Sequence, residues 1–262
     1  MKIAFEGHVP VPHDEMLRHV AHAKGLGLPF IGEESEHGRP LAIVGGGPSV
    51  VDHLAEIAGY ADIWAINGAC RFLREHGIAS TLISVDPCDF LAPRVSGASK
   101  VILATRCHPD TFACLDGADV RLFDLVNDVP GGHIVSTATA MMAFSVGPFM
   151  GYRRFVFFGC EGSYTDKTHA YMDEAELQDG RFTVEVDGEC FDTAPDLYML
   201  TTHMAEMMRL TVPGAFTERS GGLLRALIRC PEHEITSVSP GLRSRLRVSD
   251  PEGRPELAVS GA

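Results

Sequence analysis

The sequence predicts an α/β fold of the Rossmann-like type, with a doubly wound and mostly parallel sheet. Short β-rich runs alternate with helical stretches over residues 40–160, which is typical of a parallel sheet covered by helices on both faces. Most of these runs are continuously apolar, as strands buried on both faces are. The chain has 262 residues, 45% of them apolar, and is therefore long enough for one large domain of this class.

The apolar runs place six strands in the core, and the stretches between them contain the helices. The predicted strands are 41–44, 62–66, 81–85, 100–104, 120–123 and 154–158. The predicted helices are 14–24, 49–57, 69–76 and 135–149, the last with an early end or a kink at Gly147-Pro148. After this core, Asp187-Gly188 indicates a hairpin, and 195–210 is predicted to be a helix with proline in its first turn.

The predicted domain organisation is one domain over residues 1–238 and a flexible tail over 239–262. Within the domain, an amino-terminal helical cover precedes a core at about residues 40–200. The tail is predicted from its content of proline, glycine, serine and charged residues. The oligomeric state stays open, with a homo-oligomer as one alternative.

Charge and composition exclude several classes of partner. With 22 basic and 35 acidic residues the net charge is −13, a field that repels a polyanionic backbone, so no direct nucleic-acid binding is expected. The first residues contain no basic stretch followed by an apolar run, and no apolar run reaches about 18 residues. We therefore expect a cytoplasmic protein without membrane association. Seven cysteines without a C-x-x-C pair favour reduced core thiols over a disulfide framework or a zinc site.

A glycine turn after the first core strand is the sharpest local motif. Gly45-Gly46-Gly47-Pro48-Ser49 joins an apolar strand to a helix, and backbone N–H groups at such a turn can approach a phosphate. The dinucleotide fingerprint fails, because Val50 occupies the position of its third glycine and Asn67 that of its acidic ribose partner. No Gly-Lys-Ser/Thr follows, which excludes a P-loop. The turn favours a nucleotide ligand, although a glycine turn at a strand end also serves structure alone.

Further polar residues follow later strands, at the edge where open α/β sheets bind ligands. Asn67-Gly68 and Asp86 either cap loops or contact a base, a ribose or a metal-bound phosphate. The segment Gly159-Cys160-Glu161-Gly162-Ser163 and the nearby His169 and Tyr171 form a candidate catalytic rim. His169 is the candidate general base, because imidazole titrates near neutral pH. The alternative is a loop histidine that bonds only to backbone.

Taken in order, these motifs resemble the family of domains related to archaeal 6-hydroxymethylpterin diphosphokinase, which also includes the motility accessory factors that glycosylate flagellin. The resemblance covers about residues 40–200. It rests on the turn at 45–49, A-I-N-G at 65–68, S-V-D-P at 84–87, a small-residue helix after 131–132, G-C-E-G-S-Y at 159–164, T-H-A-Y at 168–171, and the segment 186–193. Where many relatives carry aspartate in the G-x-D loop, this chain has Glu161.

The resemblance implies a nucleotide-binding domain that uses a nucleotide-activated donor. It implies that Gly46, Gly47 and Ser49 hold donor phosphate, and that Asn67 and Asp86 hold the nucleoside or a bound Mg²⁺. The full set of expected donor-binding residues is Gly45, Gly46, Gly47, Pro48, Ser49, Asn67, Gly68, Asp86, Ser136, Thr137, Gly159, Ser163 and Tyr171, with His169 and Glu161 as catalytic candidates.

Three functional hypotheses follow. The leading one is a glycosyltransferase that uses a nucleotide-activated sugar of the nonulosonic acid type, since members of the motility branch resemble users of such donors. The second is diphosphate transfer from Mg-ATP to a pterin-like alcohol, in which Asp86 and Asp89 would help to hold the metal. The third is a nucleotide-binding protein without turnover, suggested by Glu161 and by the lack of an obvious second domain for an acceptor. The acceptor itself stays unknown.

Overall fold

The computed structural model describes residues 11–126, 128–130, 132, 134, 138–165, 169–171 and 180–238. The helices are α1 (His13–Gly25), α2 (Leu54–Ile57), α3 (Ala69–Glu75), α4 (Ala92–Val95), α5 (Pro109–Ala113), α6 (Val146–Phe149), α7 (Pro195–Leu210) and α8 (Gly222–Arg229). The strands are β1 (Pro40–Val44), β2 (Asp62–Ile66), β3 (Thr81–Ser84), β4 (Lys100–Ala104), β5 (Asp119–Phe123), β6 (Arg154–Phe158), β7 (Phe182–Val186), β8 (Glu189–Thr193), β9 (Phe216–Glu218) and β10 (Glu234–Val238).

The central sheet has seven strands in the order β5-β4-β3-β2-β1-β6-β9, and all of its pairings are parallel. This architecture confirms the predicted Rossmann-like α/β fold. In β1, β4 and β6 the last four residues are all buried, which explains why these strands are continuous apolar runs in the sequence. Phe157, Phe158 and Leu41 are among the largest fully buried side chains, so the core is centred on this part of the sheet.

The order of the strands reverses between β1 and β6. Strands β2 to β5 are added one after another on one side of β1, and β6 then pairs with the other side. Val44 at the end of β1 is in register with Ala65 of β2 and with Phe158 of β6. The loops that follow these strands therefore leave the sheet at the same edge, on both sides of the reversal.

A second, antiparallel sheet has the order β10-β7-β8. Its hairpin turns at Asp187 and Gly188, whose φ angles of 52° and 80° fit a type I′ turn. Phe182, Val184 and Val186 on β7 are buried. Helix α8 contacts both β7 and α7, and it therefore connects the small sheet to the rest of the molecule.

Two predicted helices are interrupted. The prediction at 49–57 is wrong in part, because Pro48–His53 is a 3₁₀ helix and only Leu54–Ile57 is α-helical; adjacent β-branched Val50 and Val51 disfavour a regular α-helix there. In the prediction at 135–149, a 3₁₀ helix at Thr139–Phe144 and α6 meet at Ser145. Pro148 lacks the N–H that a continuous helix would bond to residue 144. Residues 135–137 lie outside the described residues.

All seven cysteines are unpaired, and Cys70 and Cys107 are buried. Burial raises the pKa of the Cys70 thiol above its ordinary value, because it disfavours the thiolate. In the described part of the chain, every helix is too short or too polar to cross a bilayer.

Candidate functional site

The glycine turn is bonded directly to the loop after β6, across the reversal of strand order. Gly45 N donates to Phe158 O at 2.8 Å, and Gly47 N donates to Gly159 O at 2.9 Å. A Cβ atom at Gly45 would lie 2.3 Å from Gly159 O, so the two loops approach each other more closely than a side chain permits. Glycine is required here for close packing of backbone on backbone. The turn lies where open α/β sheets bind ligands.

The Glu161 carboxylate lies on this turn. Its Oε1 accepts a hydrogen bond from Ser49 N at 2.7 Å, and a Cβ atom at Gly47 would lie 1.5 Å from Oε2. Glu161 is 7% exposed, and its own carbonyl accepts from Leu224 N at 2.9 Å in α8. The N–H group that the sequence assigned to a donor phosphate is thus bonded to a carboxylate of the same chain.

Residues 169–171 lie across the other side of the turn. Ala170 N donates to Gly46 O at 2.8 Å, and a Cβ atom at Gly46 would lie 2.6 Å from His169 Cδ2 and 2.9 Å from the Tyr171 hydroxyl. The His169 and Tyr171 rings stack with centroids 5.0 Å apart. The two catalytic candidates, Glu161 and His169, therefore contact adjacent residues of the glycine turn.

Asn67 and Gly68 complete this group from the end of β2. A Cβ atom at Gly68 would lie 2.9 Å from the Tyr171 ring, so Tyr171 contacts both loops. Asn67 has a left-handed backbone with φ of 49°, and Asn67 N donates to Ile83 O at 3.3 Å. Asn67 Oδ1 and Ser49 Oγ are both buried atoms without a hydrogen-bond partner among the described residues. Buried polar atoms are usually paired, and unpaired ones at one edge of a sheet suit contacts with a ligand.

Asp86 stands apart from this group. It follows β3, two strands from β1 and hence about 10 Å away at the usual strand spacing. Its Oδ1 accepts from Cys88 N at 3.0 Å, and Asp86 N donates to Ser84 Oγ at 3.1 Å, so the residue also closes its own turn. Burial, followed by the nearby Asp86 charge, raises the pKa of the Cys88 thiol to about 12. Within the described ranges, no group of three or more His, Cys, Asp or Glu side chains could hold a metal ion.

Ser163 and Cys160 have structural partners. Ser163 Oγ accepts from Leu223 N at 3.3 Å and thereby attaches the start of α8 to the loop after β6. Burial, with the Glu161 charge as a second cause, raises the pKa of the Cys160 thiol, so this residue is a poor nucleophile. Ser136 and Thr137 lie outside the described residues.

The loop after β9 adds residues that the sequence analysis did not identify. Ser220 Oγ accepts from Cys160 N at 2.8 Å, and Arg219 N donates to Phe157 O at 2.8 Å. Arginines at 219, 225 and 229 with Glu218 and Ile228 line a cavity of about 360 Å³. The i, i+4 spacing of Arg225 and Arg229 beside the apolar Leu223, Leu224 and Leu227 could have indicated a helix with a basic face.

The residues around the glycine turn bring three kinds of chemical group to one edge of the sheet. Glu161 supplies a buried acceptor, His169 an imidazole, and Ser49 and Asn67 supply buried polar atoms without partners. In comparisons with protein-family models, with curated proteins and with solved structures, none matches this chain.

Proposed function

We propose that this chain is a transferase that takes a nucleotide-activated donor and transfers its glycosyl group to a hydroxyl acceptor. The observation that carries the proposal is the glycine turn at the strand-order reversal between β1 and β6, where ligands of open α/β sheets bind. The unpartnered Ser49 Oγ and Asn67 Oδ1 at the same edge support it. The donor would be a nucleotide-linked sugar of the nonulosonic acid type, by the resemblance of the motifs at residues 40–200.

The position of the Glu161 carboxylate limits how such a donor could be oriented on the turn. A phosphate on the turn would compete for Ser49 N and would meet a buried negative charge. Two like charges 4 Å apart repel by about 4 kcal/mol at an effective dielectric constant of about 20. We infer that hydroxyl groups of the ribose or sugar face Glu161, since a carboxylate accepts hydrogen bonds from hydroxyls. The donor phosphate then lies beyond the turn, rather than on Gly46, Gly47 and Ser49.

His169 would act as the general base of the transfer. The acceptor oxygen forms a bond to the anomeric carbon of the donor while the bond from that carbon to the phosphate oxygen breaks. The acceptor proton moves to the His169 imidazole, and the nucleotide leaves with its electron pair on oxygen. The stacked Tyr171 ring and the bond from Ala170 N to Gly46 O fix the position of His169 on the turn.

No step of this proposal passes through a metal ion. The alternative of diphosphate transfer from Mg-ATP needs Asp86 and Asp89 as ligands. Asp86 belongs to no group of three potential ligands within the described residues, and its Oδ1 already accepts from Cys88 N. Within the described residues, the side chains near Asp86 supply at most two carboxylates, so a Mg²⁺ ion held there would need the phosphates of ATP as further ligands.

Thermal unfolding with a panel of nucleotides tests the proposal. CMP and other sugar-nucleotide products should raise the melting temperature without Mg²⁺, because a ligand at 100 times its Kd stabilises by about 2.7 kcal/mol. ATP analogues that stabilise only with Mg²⁺ would favour diphosphate transfer instead. No shift with any nucleotide would overturn both. Nucleotide binding without transfer to any of a panel of hydroxyl acceptors would leave a binding protein without turnover.

The variant Glu161→Gln tests the orientation of the donor. If ribose hydroxyls bond to the carboxylate, loss of its charge weakens CMP binding, by about tenfold for one charged hydrogen bond. If sugar hydroxyls bond to it instead, the change weakens binding of the intact sugar nucleotide and leaves CMP binding as it is. If phosphate lies on the turn, the same change removes a repulsion and strengthens CMP binding. Glu206→Gln, an exposed change on α7, is the matched control for the change in net charge and should leave CMP affinity as in the wild type.

A further inference from the structure

The cavity at the end of β9 is an arginine pocket, lined by Arg219, Arg225 and Arg229 together with Glu218 and Ile228. Its volume of about 360 Å³ is within the usual range for small-molecule sites. Three arginines and one glutamate give it a formal charge of +2, on a chain whose net charge is −13. Such a local excess of positive charge attracts small anions to one place on an otherwise acidic protein.

Carboxylates form ion pairs with two of the three arginines that line the pocket. Arg225 Nε donates to Glu218 Oε2 at 2.8 Å, and Arg219 Nε donates to Glu56 Oε1 at 3.1 Å. Arg229 forms no ion pair with any residue that the structure describes. Because Arg225 and Arg229 are four residues apart on α8, their charges repel each other on one face of the helix. A bound anion would remove that repulsion.

The pocket lies next to the candidate site. β9 is parallel to β6, with Glu218 in register with Phe157, so the loops after both strands leave the sheet at the same edge. The bond from Cys160 N to Ser220 Oγ at 2.8 Å connects the loop that carries Glu161 to the loop that carries Arg219. The arginine pocket and Glu161 are therefore carried by loops that contact each other.

We propose that the arginine pocket binds the phosphate group of a small phosphorylated ligand. Arginine guanidinium groups form paired, charge-assisted hydrogen bonds to phosphate oxygens, and Arg229 is available for such a contact. Two sources could supply this phosphate, a nucleotide donor or a separate phosphorylated molecule. Only the first of these rests on the proposed function, since the pocket itself needs no more than an anion.

Titration calorimetry with pyrophosphate tests the pocket. The wild-type protein should bind pyrophosphate, and Arg229→Gln should weaken binding by about tenfold or more, because one charge-assisted contact is lost. The exposed Arg229 has no ion pair to break among the described residues, so its variant should melt as the wild type does. Arg71→Gln, an exposed change on α3 that removes the same charge and breaks only the surface ion pair with Glu75, is the control. No binding of pyrophosphate, or an equal loss in both variants, would overturn the proposal.

A parallel titration with CMP separates the two sources of phosphate. If Arg229→Gln weakens CMP and pyrophosphate alike, the pocket holds the phosphate of the nucleotide donor. If it weakens pyrophosphate alone, the pocket serves a separate phosphorylated ligand; both results support the pocket. Should the wild type bind pyrophosphate but no nucleotide, the proposed function fails while the pocket stands.

Discussion

At the residue scale, Glu161 links the two halves of the sheet. Its carboxylate accepts from Ser49 N, 112 residues earlier in the chain, and its carbonyl accepts from Leu224 N in α8. One buried residue thereby holds the loop after β1, the loop after β6 and the start of α8 together. Glu161 therefore contributes to stability apart from the role in donor binding that we propose for it, and substitutions can separate the two effects.

Glu161→Ala should destabilise the fold by about 1–3 kcal/mol, because the half-buried Ser49 N loses its acceptor. Glu161→Gln should cost less, since its amide oxygen can accept the same bond. Urea unfolding of both variants measures the difference. Equal stability of Glu161→Ala and the wild type would mean that the bond to Ser49 N contributes nothing to folding.

His169→Ala should reduce turnover by roughly a hundredfold or more, because the change removes the general base that we propose for the acceptor proton. The affinity for CMP should stay near that of the wild type. Steady-state kinetics with any active donor and acceptor pair measures the first quantity, and calorimetry the second. His203→Ala, an exposed change on α7, is the control and should be fully active. Joint loss of binding and activity in His169→Ala would assign His169 to donor binding.

At the scale of elements, local patterns predicted the core strands of the central sheet, but they missed β9 and α8 in the last third of the chain. The bounds of β2, β4 and β6 coincide with the predicted ones, because after one charged residue each strand is a continuous apolar run, as strands buried on both faces are. β9 was missed, since Phe216, Thr217 and Glu218 are too few to show a period and are only half-buried. α8 was also missed, although Arg225 and Arg229 lie four residues apart beside the apolar Leu223, Leu224 and Leu227. The contact between Glu161 and Ser49 depends on strand order, which no local pattern contains.

The hairpin between β7 and β8 carries a prediction of its own. Gly188 has φ of 80° with open space around its Cα, so Gly188→Ala places a side chain in a left-handed conformation without any clash. The expected cost is about 1–2 kcal/mol, measured by urea unfolding. Gly32→Ala is the control, because Gly32 has open space and no positive φ. Equal effects of the two changes would mean that the conformation of the turn is unimportant for stability.

At the scale of the whole molecule, buried ionisable groups lie at the far end of the same sheet edge. Arg106 follows β4 and approaches the buried Asp128, with Nε and Oδ2 3.6 Å apart. Burial raises the pKa of Asp128, an effect that the Arg106 charge opposes. His19 on α1 is 5% exposed, and its Nδ1 lies 3.2 Å from Arg106 O. This cluster connects α1 to the sheet and makes the stability of the fold depend on pH.

Burial lowers the pKa of His19 below its ordinary value of 6.5, and the bond to Arg106 O opposes this only in part. Below about pH 6.5 the unfolded chain therefore takes up this proton before the folded protein does, so stability falls as the pH decreases toward the folded pKa. The contribution of one such group is at most about 1.4 kcal/mol per pH unit. His19→Gln should show a smaller loss of stability as the pH is lowered from about 7 to about 5.5, a range that includes the ordinary pKa of 6.5 and stays above the isoelectric point of about 5.3. Urea unfolding at several pH values measures this slope, with His203→Gln as the exposed control. Burial raises the pKa of Asp128 above its ordinary value of 3.8, so this group changes the stability in the opposite direction as the pH falls. Because the wild type and His19→Gln both contain Asp128, its contribution cancels when the two are compared. Identical slopes for the wild type and His19→Gln would mean that His19 is protonated equally in the folded and unfolded chains.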